Sequence, residues 1–460
     1  MKILLVSDHS VAAINGVVTS VKNLMAALKK RGHEVKLLTI NKELHSDKID
    51  GDTYALASFS FGKFYPDARV SLAMNSHLVK ELIEWEPEII HTNSEFSAFE
   101  ISKRIAWDLD IPLVHTYHTV YEDYTHYFHT DAEFVKMLIR KWSHLVSART
   151  NGVIAPSEKI RELLLSYGVK VPIYVVPTGI NLDKFDNPPS QEWIENKKAE
   201  LGISPDKKVV LFLGRVAKEK NIDELIAMAK SLPEDIILLI VGGGPDYERL
   251  VALKEKMGIP DSKVIFTGMV APDEVPYYYR LGDVFCSSST SETQGLTYYE
   301  AMACGLPLVC REDECLDGIL ENGVNGYRST SLVEIAEGVI KILENEDMLK
   351  SMSAKSLEII KKYSTDVFGE NVEKIYLETI EAYKQKASKS PKVNITEFGN
   401  EIKNLTDKFR NVFDKYILET EGNADAFYDE FLDSDFGDFY DEVLDSDTGA
   451  IAPEDEQKED

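Results

Sequence analysis

No apolar run in the 460-residue sequence approaches the roughly 18 positions that a membrane-spanning helix requires. The opening stretch, MKILLVSDHS, reaches Asp8 after only a few apolar positions. A signal peptide is therefore not expected there, and the stretch reads as a first buried strand. Cysteine is scarce. Cys286, Cys304, Cys310 and Cys315 form no C-x-x-C pair, and no nearby histidines complete a zinc pattern. That excludes a disulfide framework and predicts four small core or loop residues in a reduced, cytoplasmic compartment. Positive charge is in deficit, with 51 Lys and Arg against 78 Asp and Glu, a net of −27. Such a chain is not a general nucleic-acid binder. The deficit is uneven: residues 421–460 carry sixteen acids and one lysine, which leaves −12 for residues 1–420.

What the sequence does have is apolar bulk. Hydrophobic residues make up 44% and aromatics 10%, enough for large buried cores and too much for wholesale disorder. The length predicts more than one domain. Short β-rich runs alternate with helical patterns. Strands are expected at Ile3–Ser7, Val35–Thr39, Glu88–His91, Leu113–His118, Gly152–Ala155 and Ile173–Val176. A helix is expected over Val18–Lys30, with Val21, Leu24, Met25 and Leu28 on one face. The pattern weakens over Val176–Asp206, where Pro177, Gly179, Pro188, Pro189 and Pro205 fall and an interdomain linker is expected, then restarts at Val209–Leu213, Ile236–Val241, Val264–Thr267, Val284–Cys286 and Leu308–Cys310. This predicts an α/β protein: two doubly wound, Rossmann-like parallel-sheet domains facing a cleft. Their expected ranges are 1–185 and 186–364. A helix over 365–387 would pack back on the first domain, 388–420 would form an amphipathic helical extension, and 421–460 an acidic, disordered tail. The tail repeats FYDEFLDSD and FYDEVLDSD with a period of twelve. It reads either as a solvated tail or as a motif for a protein partner used twice.

Four segments carry chemistry. SSSTSETQGLTYYEAMACGLP (Ser287–Pro307) follows a strand and should open a helix near Gly295. Its Glu292 and Glu300 are too far apart to share one helix face closely. One fits the loop and the other the first helical turns, so the two could hold separate hydroxyl-rich parts of one ligand. Between them, the N–H groups of Thr293, Gly295 and Leu296 belong to a helix start, a natural phosphate site; a helix cap with an acidic residue near it explains the same pattern equally well. LGRVAKEKNID (Leu213–Asp223) puts Arg215 and Lys220 at the carboxyl end of a strand, a pair suited to a diphosphate. VGGGPDYERL, with Gly243 at its centre, allows close backbone approach but lacks the dinucleotide-binding spacing. INGVVTSVKNL offers Gly16 in a tight turn before a helix.

The set Gly16, Arg215, Lys220, Glu292 and Glu300, with E-x7-E and G-R-x4-K-N, resembles the family-4 retaining glycosyltransferases of the GT-B fold over roughly residues 1–385. Within that family, HTYHTVYEDYTHY (His115–Tyr127) and the segment Ala155–Ile180 look most like the bacterial diacylglycerol glucosyltransferases. The resemblance implies roles. Arg215 and Lys220 would hold the donor diphosphate, Glu292 the donor-sugar hydroxyls and Glu300 the ribose. Gly16 would let the amino-terminal loop approach the phosphates, and His118 would sit beside the sugar. Tyr121, Asp123 and Tyr124 would face the acceptor. The donor would be UDP-glucose or another nucleotide-hexose and the acceptor diacylglycerol, in glycolipid synthesis. No prosthetic group and no metal for donor binding are expected, and the D-x-D strings at 108–110, 433–435 and 445–447 are read as accidental.

The helix expected at Phe134–Arg149 carries an apolar stripe (Phe134, Leu138, Trp142, Leu145) opposite Lys136 and Arg140. It suits an anionic membrane surface and an ordinary core-facing helix equally by pattern. The resemblance tips it towards peripheral attachment at the inner face of the cell membrane. Two alternatives stay open: a family-4 enzyme with a soluble or already glycosylated acceptor, and a non-catalytic scaffold of the same fold whose tail recruits a partner.

Overall fold

The computed structural model describes residues 1–13, 15–41, 46–60, 69–71, 76–122 and 132–387. The first half opens with β1 (Lys2–Val6), α1 (Gly16–Lys30) and β2 (Glu34–Ile40), then short strands β3 (Lys48–Asp50), β4 (Thr53–Leu56), β5 (Phe59–Ser60) and β6 (Arg69–Val70). Strand and helix then alternate: α2 (His77–Glu84), β7 (Ile89–Thr92), α3 (Ser97–Leu109), β8 (Leu113–Thr116), α4 (Ala132–Ala148), β9 (Gly152–Ala155), α5 (Glu158–Ser166) and β10 (Ile173–Val175). After α6 (Gln191–Glu200) the second half repeats the pattern. It runs β11 (Lys208–Leu213), α7 (Ile222–Ala229), β12 (Ile236–Val241), α8 (Tyr247–Lys256), β13 (Val264–Gly268) and α9 (Val275–Tyr279). It continues through β14 (Val284–Ser287), α10 (Leu296–Ala303), β15 (Leu308–Arg311) and β16 (Gly326–Ser329), and ends on α11 (Leu332–Leu343), α12 (Glu346–Ile360) and α13 (Thr365–Ala387).

The first sheet has the order β10-β9-β8-β7-β1-β2-β4-β3 and is parallel except at β3–β4. The second, β13-β12-β11-β14-β15-β16, is parallel throughout. Both are the doubly wound, Rossmann-like sheets that the alternation predicts. Parallel sheets are covered on both faces, which is why their strands read as unbroken apolar runs. In β12 all six residues are buried, and the side chains of its two faces enter two separate core clusters. The chain changes winding direction between β1 and β7, and again between β11 and β14. Ligand crevices open at the carboxyl ends of strands at such switch points.

Both sheets belong to one compact unit, Met1–Tyr124 with Leu138–Lys389. The expected extension and tail (388–460) lie outside the described residues. In α13, Phe368, Val372, Ile375 and Tyr376 join Val21, Leu24 and Leu28 of α1 in one core cluster. Gly369 permits the approach, since a Cβ there would stand 2.7 Å from the Ala27 Cβ.

Several details depart from expectation. The Pro-rich stretch expected as a linker contains α6, capped by Ser190, whose side chain accepts from the Trp193 N–H at 3.1 Å. The stretch breaks the strand pattern without excluding a helix, because its prolines flank α6. The edge strand β16 (GYRS) has too little apolar character to be read as a strand. The second half of α4 faces the core: Ser143, Val146 and Ser147 are buried, and Arg140 is paired to Glu122 at 2.8 Å. The pattern therefore serves packing at least from Trp142 onward. All four cysteines are buried and free, as their scarcity predicts.

Candidate functional site

In the second half, the switch point brings together the two strand ends that sequence spacing singles out. After β11 the chain passes Gly214 and Arg215 into a 3₁₀ turn at Lys218–Lys220; after β14 it passes through Ser288–Gly295. There the Lys220 Nζ donates to the Glu292 Oε1 at 2.6 Å, and the pair is largely shielded from water. Burial by itself pushes the Glu292 carboxyl up. The Lys220 charge and hydrogen bond outweigh it and leave the group below the usual carboxylate range. Arg215 is more exposed and pairs with Glu219 one turn on. Gly242 and Gly244 hold positive φ, and a Cβ on either would stand 2.0 Å from the Gly214 oxygen or 2.2 Å from the Val216 oxygen. The close approach made by these two glycines is thus to neighbouring backbone. Gly243 accepts from the Val216 N–H at 2.9 Å and fixes the turn that carries Arg215.

The helix predicted near Gly295 starts at Leu296. Gly295 is its N-cap at φ 73°, and no side chain caps it. A Cβ on Gly295 would collide with the Tyr298 ring at 2.4 Å, so glycine is required. Helix starts leave N–H donors without intrahelical acceptors. The start of α1 comes up against this one: a Cβ on Gly16 would lie 3.7 Å from the Leu296 Cδ1. Glu300, on the second turn of α10, accepts from the Tyr279 hydroxyl at 2.8 Å. Burial raises its carboxyl to about 7 against the pull of that bond and of Lys184.

In the first half, the β1/β7 switch point is built from polar side chains that are almost wholly buried: Asp8, Asn93, Ser94, Glu95 and His115. Asp8 accepts from the Ser94 and Ser97 hydroxyls at 2.7 and 2.8 Å and from the Ala98 N–H at 2.8 Å, which anchors the start of α3. Asn93 donates to the Val6 and His91 carbonyls and turns its Oδ1 to the His118 Nε2 at 3.0 Å. That arrangement assigns the proton to Nε2. Burial, with His115 and His9 nearby, lowers the imidazole to about 3, so His118 is neutral. Tyr121 donates to the buried Glu95 Oε2 at 2.5 Å, and its ring meets Trp142 edge-on at 5.1 Å. Asp123 and Tyr124 lie outside the described residues.

Sequence reasoning missed the groups that join the two halves. Ser157 stands at the N-cap of α5, yet its hydroxyl donates to the Thr293 carbonyl at 2.6 Å instead of capping the helix. Gln294 accepts from the Thr178 N–H and donates to the Thr178 carbonyl, both at 2.8 Å. The Lys159 ammonium reaches the same loop. Asn93 and Glu95 were also missed, although a polar run directly after a buried strand marks a strand end of this kind. Among the described residues no three His, Cys, Asp or Glu side chains are grouped as metal ligands, and no helix is long and apolar enough to cross a membrane. Asp110 of the first D-x-D string ends α3 and accepts from Tyr383.

A family model for "Glycosyltransferase Family 4" matches residues 14–184, and one for "Glycosyl transferases group 1" matches residues 194–358. The alpha-monoglucosyldiacylglycerol synthase of Streptococcus pneumoniae is 37% identical over 390 residues, covering 83% of this chain and 86% of that protein. The chain belongs to glycosyltransferase family 4. The Acholeplasma laidlawii protein of the same name is 32% identical, over 85% of this family-4 chain and all of its own. Anabaena HepE, solved in complex with UDP and glucose, has the same fold: TM-score 0.65 at 19% identity, covering 82% of this chain and 100% of that one. The two sheets of this family-4 glycosyltransferase are thus the GT-B architecture that its E-x7-E and G-R-x4-K-N segments predict.

Proposed function

We propose that the protein is a retaining glucosyltransferase that moves glucose from UDP-glucose to the free hydroxyl of diacylglycerol. The observation that carries this reading is the 37% identity to the pneumococcal alpha-monoglucosyldiacylglycerol synthase over nearly the whole of both chains. The Lys220–Glu292 pair beside the uncapped start of α10 supports it. Lys220 and Arg215 take the donor diphosphate. The N–H groups of Thr293, Gly295 and Leu296 add partial positive charge, and the Gly243 turn holds Arg215 in place. Gly16 leaves room for the phosphates between two helix starts. Glu292 accepts hydrogen bonds from the sugar hydroxyls and Glu300 from the ribose diol. His118, neutral with its proton on Nε2, offers Nδ1 as an acceptor beside the sugar.

The chemistry follows from charge. Cleavage of the glycosidic bond leaves negative charge on the departing diphosphate, and fixed cations and amides stabilise it as it develops. Attack on the face that the leaving group vacates retains the anomeric configuration, and the leaving phosphate takes the acceptor's proton. No metal is needed to hold the donor, because Arg215 and Lys220 supply the countercharge. Tyr121, Asp123 and Tyr124 stand on the acceptor side. The acceptor resides in lipid, so the enzyme works at an anionic membrane surface from the cytoplasmic side.

The test is incubation with a panel of labelled nucleotide sugars and diacylglycerol vesicles, followed by identification of the product. An α-glucosyl diacylglycerol formed from UDP-glucose is expected. Equal transfer to water-soluble acceptors without lipid would sink the lipid assignment, and full activity in Lys220→Ala with Glu292→Ala would sink the site.

A further inference from the structure

Lys159 belongs to α5 of the first half, yet every partner of its ammonium is in the second. The Nζ lies 3.1 Å from the Thr290 carbonyl, 3.2 Å from the Glu292 carbonyl, and 2.9 and 2.7 Å from the two carboxylate oxygens of Asp313. Asp313 is the more deeply placed partner, its side chain 2% exposed against 21% for Lys159. It has a second task, since its Oδ1 also accepts from the Cys315 N–H at 2.8 Å. The loop between β14 and α10 is therefore held from two sides. The side chains of Ser288, Ser291 and Glu292 turn to their own half, where the two serines donate to the Asn221 and Glu219 carbonyls and Glu292 accepts from Lys220, while Gln294 bonds the Thr178 backbone of the other half. Its backbone carbonyls at Thr290, Glu292 and Thr293 are taken by Lys159 and Ser157 of the other half.

We propose that Lys159, clamped by Asp313, is a positioning residue that sets the Glu292 loop for donor-sugar binding. The inference rests on the reading that Glu292 holds donor-sugar hydroxyls. An ammonium on a buried carboxylate has little freedom to drift, and it bonds the carbonyl of Glu292 itself. Lys159 never touches the donor; it fixes the backbone from which Glu292 reaches, and it ties the sugar end of the donor site to the meeting of the two halves. Serving the loop from the opposite half distinguishes this cation from Lys220.

The test compares wild type, Lys159→Met, Lys159→Arg, Asp313→Asn and Glu292→Ala as full-length chains. The readouts are transfer from UDP-glucose to diacylglycerol vesicles, UDP binding by calorimetry, and thermal midpoints. Asp313→Asn keeps an oxygen for the Cys315 N–H and guards against a folding defect in Lys159→Met. Misplacing Glu292 by about an ångström should lower kcat/KM for UDP-glucose on the order of tenfold to a hundredfold in Lys159→Met and in Asp313→Asn. UDP lacks the glucosyl group that Glu292 holds, so its affinity should fall far less than kcat/KM, even though the Thr293 N–H beside the latch meets its diphosphate. Lys159→Arg should recover most of the activity, and Lys159→Met combined with Asp313→Asn should be no worse than either single change. Wild-type kinetics in Lys159→Met with activity lost in Glu292→Ala would overturn the latch and leave the site reading intact. Unchanged activity in Glu292→Ala would overturn the site reading itself. Parallel losses of UDP affinity and thermal midpoint, not rescued by arginine, would make Lys159 merely structural and also overturn the proposal.

Discussion

The two halves share a topology and differ at their switch points. In the first, the crevice between β1 and β7 is floored by buried, mutually hydrogen-bonded groups: Asp8 on the start of α3, Asn93 on His118, Glu95 on Tyr121. In the second, the crevice between β11 and β14 is edged by a shielded ion pair, glycines packed on backbone, and an uncapped helix start. One end is a rigid polar floor with a neutral imidazole. The other is a charged rim, whose partners give way to those of an anionic ligand on the proposed reading. The difference teaches that the fold sets where a crevice lies, while the side chains at the strand ends set what enters it.

The largest test breaks the charged rim. Lys220→Met should lower kcat/KM by about 10²–10³-fold, the loss expected when one group facing developing charge is removed. It also leaves Glu292 unpaired, so Lys220→Met with Glu292→Gln should unfold at a higher temperature than Lys220→Met alone. Next comes the backbone beneath the rim. Gly242→Ala sets a Cβ 2.0 Å from the Gly214 oxygen at φ 133°, and should cost about 3 kcal/mol in urea unfolding. A smaller effect separates the halves by pH. The Glu300 carboxyl is raised to about 7 by burial, and in the proposed role it must ionise to accept two ribose hydroxyls. Donor affinity should therefore rise about tenfold from pH 6 to pH 8, in step with the ionised fraction, and should be flat in Glu300→Gln. The same raised value means the folded state holds this proton longer than the unfolded chain. Its contribution to stability falls as pH climbs from the ordinary Glu value towards 7, and Glu300→Gln should lose that slope. His118, lowered to about 3, adds no inflection between pH 5 and pH 8. The smallest effect is on the polar floor. Tyr121→Phe removes one bond to Glu95 and should cost roughly 1–2 kcal/mol of stability, with the acceptor KM moving less than about threefold.

Much of the fold was legible because parallel strands buried on both faces leave unbroken apolar runs, as at Ile236–Val241. Edge strands such as Gly326–Ser329, covered on one side only, leave too faint a pattern. The rim was legible too: Arg215, Lys220, Glu292 and Glu300 stand at short, fixed spacings from strand ends. The floor was harder. Asn93, Glu95 and His118 come from the ends of two different strands, and nothing in linear spacing says that those strands are neighbours. Ser157 was the most deceptive, because its position reads as a helix cap while its hydroxyl serves the opposite half.

Legible in the linear chain were the alternation of strand and helix, the restart after residue 206, the separation of acidity into the tail, and the charged residues that follow two of the strands. These are local properties, set by side-chain periodicity and by the residue types placed directly after a strand. Tertiary structure decided which of those residues touch. It paired Lys220 with Glu292 across 72 positions and brought Lys159 to Asp313 across 154. The first depends on the chain reversal between β11 and β14, and the second on the meeting of the two halves, so neither is fixed until the sheets have packed.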